Sequence, residues 1–301
     1  MTAAPPATTQ ARAGVRGILF MVTAGLSFVL MDATAKHLSQ TYPVVQVVWA
    51  RYLFHMLALP LFLGGVRWAA VARTRRPGLQ IARSVLLLAS TFFFFLAVAF
   101  IPLATATAIG FVGPLLVTAL SVPLLGETVG PRRWAAVIVG FAGVLIIIRP
   151  GPGMFGGGAH WAMLLPLLVA VCFALYQIST RVLSRFDSWT TTLFYSASVG
   201  LVVMTALVPF HWRTPDLEGW AWMALLGAIG GFGHSMMIKA FAAAPASTLA
   251  PFTYLQLVWS TLIGWFAFGD FPDGWTLIGA AIVAASGLYV LYRERRIRGV
   301  A

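Results

Sequence analysis

Ten apolar stretches, each close to the length a helix needs to cross a bilayer, follow one another with little but turn material between them. A crossing takes about 20 mostly apolar residues. The stretches run roughly Gly17–Lys36, Pro43–Leu63, Leu79–Ile101, Ala104–Leu125, Trp134–Ile148, His160–Thr180, Trp189–Pro209, Trp220–Phe241, Ser247–Phe268 and Trp275–Leu291. Gly126-Glu127-Thr128-Val129-Gly130-Pro131 separates the fourth from the fifth, and the run from Pro150 to Gly158 separates the fifth from the sixth. The segments are too long for barrel strands and lack alternation of period two, so helices are expected. Composition agrees: hydrophobic residues make up 60% of the 301 and charged residues 9%, against about 25% charged in a soluble domain. That leaves too little polar surface to coat a globule, and lipid is the solvent that suits it. The expected fold is an all-α integral membrane protein of ten transmembrane helices.

Lys and Arg number 20 against 8 Asp and Glu. The arginines lie in short connectors without a basic face or interleaved aromatics, so they read as orientation charge and not as a nucleic-acid surface. With the N-terminus inside, the inside connectors carry fifteen of these cations and the outside ones three: Lys36, Arg149 and Arg213. Both termini are therefore expected to be cytoplasmic. The apolar run after Arg16 lacks a small-residue cleavage site and reads as a retained first span. Cys172 is the single cysteine, which excludes an intramolecular disulfide and a cysteine-based zinc site. No metal or cofactor is expected.

The second half repeats the first. A shift of 145 lays Phe28 on Phe173, Leu30 on Leu175, Lys36 on Arg181 and Leu38 on Leu183. A shift of 143 lays Ala97 on Ala240, Pro102 on Pro245, Thr105 on Thr248, Thr118 on Thr261, Gly126 on Gly269 and Glu127 on Asp270. Five crossings per copy is an odd number, so the copies must be inverted relative to each other. That is the plan of secondary transporters, whose site lies near the midplane between the repeats. The expected organisation is a disordered tail over 1–16, a first repeat over 17–149, and a Gly/Pro linker over 150–159 on the periplasmic side. A second repeat over 160–292 and a basic cytoplasmic tail over 293–301 complete it.

At these residues the chain resembles the drug/metabolite transporter superfamily, in particular bacterial ten-span carriers with paired EamA-type domains. The marks are Ala97-x-x-x-x-Pro102, Gly126-Glu127 and Gly143, echoed by Ala240-x-x-x-x-Pro245, Gly269-Asp270 and Gly287. Asp270 and the glycine spacing of the second copy depart slightly from the first. The resemblance implies a bacterial inner-membrane exporter of small metabolites, with amino acids, including aromatic ones, the first substrate class. It also implies a cavity walled by spans one, three, four, six, eight and nine, with five and ten peripheral. A channel-like facilitator, or an exporter of nucleosides or toxic compounds, is the alternative.

Polar groups at lipid depth are costly, so each is a candidate. Asp32, the one acid inside a span, is either a protonatable coupling group or the partner of Lys36 one turn on. Gln177 stands at its equivalent place, beside Tyr176. Thr253, Gln256 and Ser260 form a polar stripe flanked by Tyr254 and Trp259, just beyond the kink that Pro251 should impose. His234 ends a glycine-rich stretch. Thr91 and Phe95 share a face of the third span with Ser84 and Leu88. These residues are expected to bind substrate or to join helices. Arg51, with His55 one turn away, is expected to anchor the second span, capture a carboxylate or gate; Lys239 is expected to snorkel or gate. Gly140, Gly143, Gly279 and Gly287 suit close packing of spans five and ten, or a dimer face.

Enzymatic readings find no support. The glycine run from Gly151 to Gly158 lacks the Gly-Lys-Ser/Thr ending of a phosphate loop. Neither His-Glu-x-x-His nor Gly-x-Ser-x-Gly occurs, and a single intramembrane acid cannot form an aspartyl dyad. The expected partners are a small-molecule substrate, the lipid bilayer and, if Asp32 couples, a proton.

Overall fold

The computed structural model describes residues 7–63, 71–151 and 159–298, and among these it contains helices and no strands. In chain order they are α1 (Ala7–Leu38), α2 (Val44–Leu63), α3 (Pro77–Val98), α4 (Leu103–Gly110), α5 (Gly113–Leu125) and α6 (Pro131–Ile148). Then come α7 (Leu165–Leu183), α8 (Trp189–Leu207), α9 (Leu217–Ala243), α10 (Ala246–Thr253), α11 (Leu255–Phe268) and α12 (Gly274–Arg298). Short 3-10 turns over Ala159–Leu164 and Val208–His211 lead into α7 and follow α8. Eight segments of the described residues are long and apolar enough to cross a membrane, and Val44–Pro60 is a shorter apolar helix. The chain is a multi-pass membrane protein. Its first helix starts at Ala7, earlier than the Gly17 expected from hydropathy, and its last continues to Arg298. Most of the linker expected over 150–159 lies outside the described residues.

Local chemistry sets the helix ends. Pro77, Pro114, Pro131 and Pro166 occupy first turns, where a missing N–H costs nothing. Ser188 caps α8 by accepting from the Thr191 amide at 3.2 Å, and Asp216 caps α9 by accepting from the Gly219 amide at 2.7 Å. Gly126 and Gly269 close α5 and α11 in left-handed conformations, φ 68° and 70°, which glycine adopts without a Cβ clash.

The repeat is visible in the fold. Helices α4 and α10 match in length and position under the shift of 143, and α5 and α11 end at equivalent residues. Each repeat therefore breaks its fourth helix at the same point. The residues at the two breaks, Phe111 and Tyr254, are equivalent under that shift, and their rings lie 5.0 Å apart. Packing follows the same symmetry: α1 lies on α9 as α7 lies on α3, α2 on α9 as α8 on α3, and α6 on α12. Of the glycines expected to serve spans five and ten, Gly143 and Gly279 meet in that last contact, Gly140 packs against Leu115 and Ser286, and Gly287 lies against Tyr254. Such small residues let backbones approach where lipid supplies no hydrophobic drive between helices. This glycine face is covered within the chain and is not free for a dimer.

Contacts between connectors define two ends. At one, Lys36 reaches Asp270 and Ile101, Tyr42 donates to Asp216, Gln46 exchanges bonds with Arg213, and Arg149 pairs with Asp273. At the other, Thr74 and Gln80 bind Asp187, Tyr195 donates to Ala72, and Arg181 pairs with Glu127. We call these the Lys36 end and the Arg181 end.

Candidate functional site

A cavity of about 480 Å³ lies between the repeats and reaches the Arg181 end. Its deep wall is Arg51, Tyr52 and His55 of α2 with His234 of α9. Its flank is Arg83 and Leu87 of α3, Tyr176 and Thr180 of α7, and Thr192 and Ser196 of α8; the connector at Ser184, Asp187 and Ser188 forms the mouth. The helix directions explain this depth. Arg51 sits two turns into α2 from the Lys36 end, whereas Arg83, Tyr176, Thr180 and Thr192 lie within two turns of the opposite ends of their helices.

Two arginines dominate the chemistry. Arg83 is 3% exposed. Its Nε donates to Thr180 at 2.6 Å, its Nη1 to Ser196 at 2.8 Å and the Thr192 carbonyl at 3.3 Å, and its Nη2 to the Tyr176 hydroxyl at 2.8 Å. The guanidinium also lies 4.4 Å from the Tyr176 ring centre. Arg51 is as deeply buried, donating to Thr91 at 3.3 Å and to the Met31 sulfur at 3.4 Å, with its guanidinium 4.8 Å from the Tyr52 ring centre. The ion pairs among the described residues use Lys36, Arg149 and Arg181, so neither cavity arginine has a carboxylate partner. Asp32 is near enough to Arg51 for their charges to interact, without forming a pair. His55 and His234 stack at 5.6 Å, and His55 Nε2 is buried without a hydrogen-bond partner. At the mouth, burial raises the Asp187 carboxyl, but bonds from Thr74, the Arg75 amide and Gln80 outweigh it and hold the group below the ordinary carboxylate range.

The sequence candidates divide. Tyr176, His234 and Arg51 line the cavity, and Thr91 supports Arg51 from behind. Phe95 is buried in the packed core beside them. Gln177 and Lys239 face outward, away from the lining. The stripe on α10 and α11 packs elsewhere: Gln256 lies against Gly25 of α1, and Ser260 and Thr253 bond to carbonyls of their own helices. Tyr254 abuts Phe111 and Gly287, and Trp259 packs into the cluster around Ala97 and Val98. Lys36 does not pair with Asp32. It pairs with Asp270 at 2.6 Å and donates to Ile101 at 3.1 Å, because α1 ends against the other repeat and its lysine reaches across instead of back.

Sequence reasoning missed Arg83, which it counted as an inside connector charge, and did not rank His55, Tyr52, Thr192, Ser196 or Asp187 as site residues. The available signal was the helical spacing of Arg83, Leu87 and Thr91, one position over from the face drawn through Ser84. The wall also differs from that implied by the resemblance. Spans two and seven contribute to it, while one, four and nine do not; five and ten are peripheral as implied.

An all-helical membrane bundle of two interlocked repeats, around a cavity that holds two arginines and is reached from one end, has the plan of a small-molecule transporter. The chain belongs to the EamA-like transporter family, whose profile matches residues 15–149 and again 160–292. It is not an enzyme. It is 32% identical over 266 residues to the S-adenosylmethionine uptake transporter of Rickettsia bellii, covering 88% of this chain and 89% of that one. It is 30% identical to the riboflavin transporter of Rhizobium johnstonii, covering 94% and 93%, and 26% identical to the pseudopaline exporter CntI of Pseudomonas aeruginosa, covering 90% and 94%. A solved crystal structure superposes with a TM-score of 0.61 at 22% identity, over 93% of this chain and 98% of that one; this supports the fold.

Proposed function

We propose that this chain is a ten-span secondary carrier for small metabolites, with amino acids the first class to test, working by alternating access in a bacterial inner membrane. The observation that carries the reading is the cavity between the repeats, reached from the Arg181 end and stopped short of the Lys36 end. The ten crossings are the eight long segments, the α2 helix and the broken α10–α11 pair. Connectors then alternate between the two ends, and each repeat enters the bilayer opposite to its copy. The Arg181 end carries the arginine excess and is cytoplasmic on this reading, which makes the structure inward-open. Exchange of conformations between the repeats would give the outward-open form.

Relatives of comparable identity are named for S-adenosylmethionine uptake, riboflavin transport and pseudopaline export. Overall similarity therefore constrains neither substrate nor direction, and the cavity lining has to set the first. A carrier driven by gradients moves substrate either way, with net export where substrate accumulates inside. Asp32 is the group we propose for proton coupling, since it is an acid at lipid depth without an ion-pair partner among the described residues.

Purified chain in liposomes loaded with labelled amino acids and nucleosides provides the test. A carrier shows uptake accelerated by substrate on the far side. Rates indifferent to the far side would establish a channel-like facilitator instead, and no transport across the panel would remove the substrate assignment. Asp32→Asn should abolish a dependence of rate on pH; an unchanged pH profile removes Asp32 from coupling.

A further inference from the structure

The cavity contains two buried guanidiniums, and a buried cation without an opposite charge is costly. The protein offers Arg83 only neutral acceptors: three hydroxyls and one carbonyl. Those bonds use both Nη groups and Nε, leaving one of its five N–H groups. Arg51 is less satisfied. One thioether and one hydroxyl occupy Nε and Nη1, while its Nη2 makes no hydrogen bond among the described residues. An Arg carries five donors in a planar fork suited to a carboxylate or phosphate, and nothing in this fork accepts. Beside it, His55 Nε2 is also unpartnered in a residue only 5% exposed. The unused edge of Arg51 and the unpartnered ring nitrogen of His55 thus lie together at the deep end, where a ligand entering from the Arg181 end would come to rest.

The nearby acids pair with neither guanidinium. Asp32 acts on Arg51 at a distance without pairing, and Asp187 is tied to Thr74, Gln80 and the Arg75 amide at the mouth. The Tyr52 and Tyr176 rings lie close to the two guanidiniums, 4.8 Å and 4.4 Å from ring centre to Cζ, and help to hold them in place.

Building on the carrier reading above, we infer that the substrate presents an oxyanion, a carboxylate or a phosphate monoester, to Arg51 at the deep end of this cavity, with Arg83 as the second cation. Ligand and guanidinium neutralise each other in a site of low dielectric, where a charge-assisted pair is strongest. The donor set selects the oxyanion; the remainder of the ligand lies along Tyr176, Leu87 and Thr192 toward the mouth.

Matched pairs of compounds differing in the oxyanion test this directly: succinate against succinamide, N-acetylleucine against N-acetylleucinamide, and glycerol 3-phosphate against glycerol. Thermal unfolding of the purified full chain in detergent is recorded at constant ionic strength. A ligand that binds the native state raises the midpoint in a concentration-dependent way. The oxyanion member of at least one pair is expected to raise it and its uncharged counterpart is not; the phosphate and carboxylate arms show which oxyanion is preferred. Arg51→Gln should weaken the effect about tenfold or more, while Arg51→Lys, which keeps the charge, retains part of it. Should Arg51→Gln fail to fold, Arg83→Gln and Arg51→Lys measured side by side carry the same comparison. No stabilisation by any oxyanion, equal stabilisation by the amides and glycerol, or an effect indifferent to these substitutions overturns the inference. Counterflow of uncharged compounds alone would also overturn it and leave the carrier standing. Oxyanion binding without counterflow of the bound probe would sink the carrier and leave the site.

Discussion

Lys36 with Asp270 and Arg181 with Glu127 are the same pair of positions in the two repeats, yet they sit in different surroundings. Both pairs are 2.6 Å long and each joins one repeat to the other. The Lys36 and Asp270 side chains are 11% and 33% exposed, whereas those of Arg181 and Glu127 are 55% and 36% exposed. Lys36 also donates to the Ile101 carbonyl and lies 5.2 Å from the Phe268 ring centre. Arg181 makes no corresponding bond to Ala244, the residue equivalent to Ile101. Duplicated residues thus tie three segments together at one end and two at the other. The cavity opens at the loosely tied end. A pair removed from water is stronger per contact and costs more to break than one in solvent, so the Lys36 end should be the firmer closure.

The largest effect should come from Lys36→Ala. It leaves Asp270 partly buried without its cation, at a cost of about 2 kcal/mol, below the range for a fully buried pair because Asp270 still meets solvent. The unfolding midpoint should fall. In a chain carrying Cys172→Ser, a cysteine placed at Ala35 should turn from unreactive to reactive toward a water-soluble thiol reagent once Lys36 is removed. Unchanged labelling would mean that this pair does not seal the end.

Exchanging the charges, Lys36→Asp with Asp270→Lys, should recover a good part of the lost stability, because the coupling between contacting groups is specific to the pair. Additive losses in the double variant would assign the effect to packing around Phe268. Arg181→Ala, in contrast, should cost less than about 1 kcal/mol, as exposed pairs do. A loss matching that of Lys36→Ala would erase the distinction between the ends.

The smallest effect is set by pH. The hydrogen bond from Arg181 is the main reason the Glu127 carboxyl is held below the ordinary range, and Asp187 is held low by the bonds described above. Groups depressed in the folded state bind their proton more readily when unfolded. Their stabilisation is complete above the unfolded values, about 4.3 for Glu and 3.9 for Asp, and is lost as pH falls through the folded ones. These two carboxyls should therefore contribute nothing to a change in unfolding midpoint between pH 7 and about 6, but should contribute to a decline below about 4. Glu127→Gln should flatten that acid decline; an identical acid limb would show that the pair does not contribute.

How much could be read beforehand depends on which force set each feature. The apolar stretches, the glycine stops at Gly126 and Gly269 and the duplication were legible because a bilayer enforces length and hydropathy residue by residue. The two breaks were less so. Pro251 marked one, but its counterpart around Phe111 has its proline afterwards, at Pro114. The register of the repeat places the breaks together more reliably than either proline does. Arg83 illustrates the opposite case: a basic residue near the start of a span looks like an anchor at the interface. It became a cavity wall through Thr180, Ser196 and Tyr176, residues 93 to 113 positions away in sequence.

The chain alone determined a duplicated, membrane-embedded helical protein, the class of molecule it belongs to, and the cations and acids that would face one another in principle. Only the tertiary structure decided that Lys36 meets Asp270 rather than Asp32, that Gln256 packs on α1, and that Arg51 and Arg83 line one cavity without a carboxylate paired to either. The reason is one of range. Hydropathy, caps and turns act over a few neighbouring residues, whereas a cavity is made by which faces of distant helices are turned toward each other, and helices of similar apolarity leave that choice to packing and to the few polar contacts that span them.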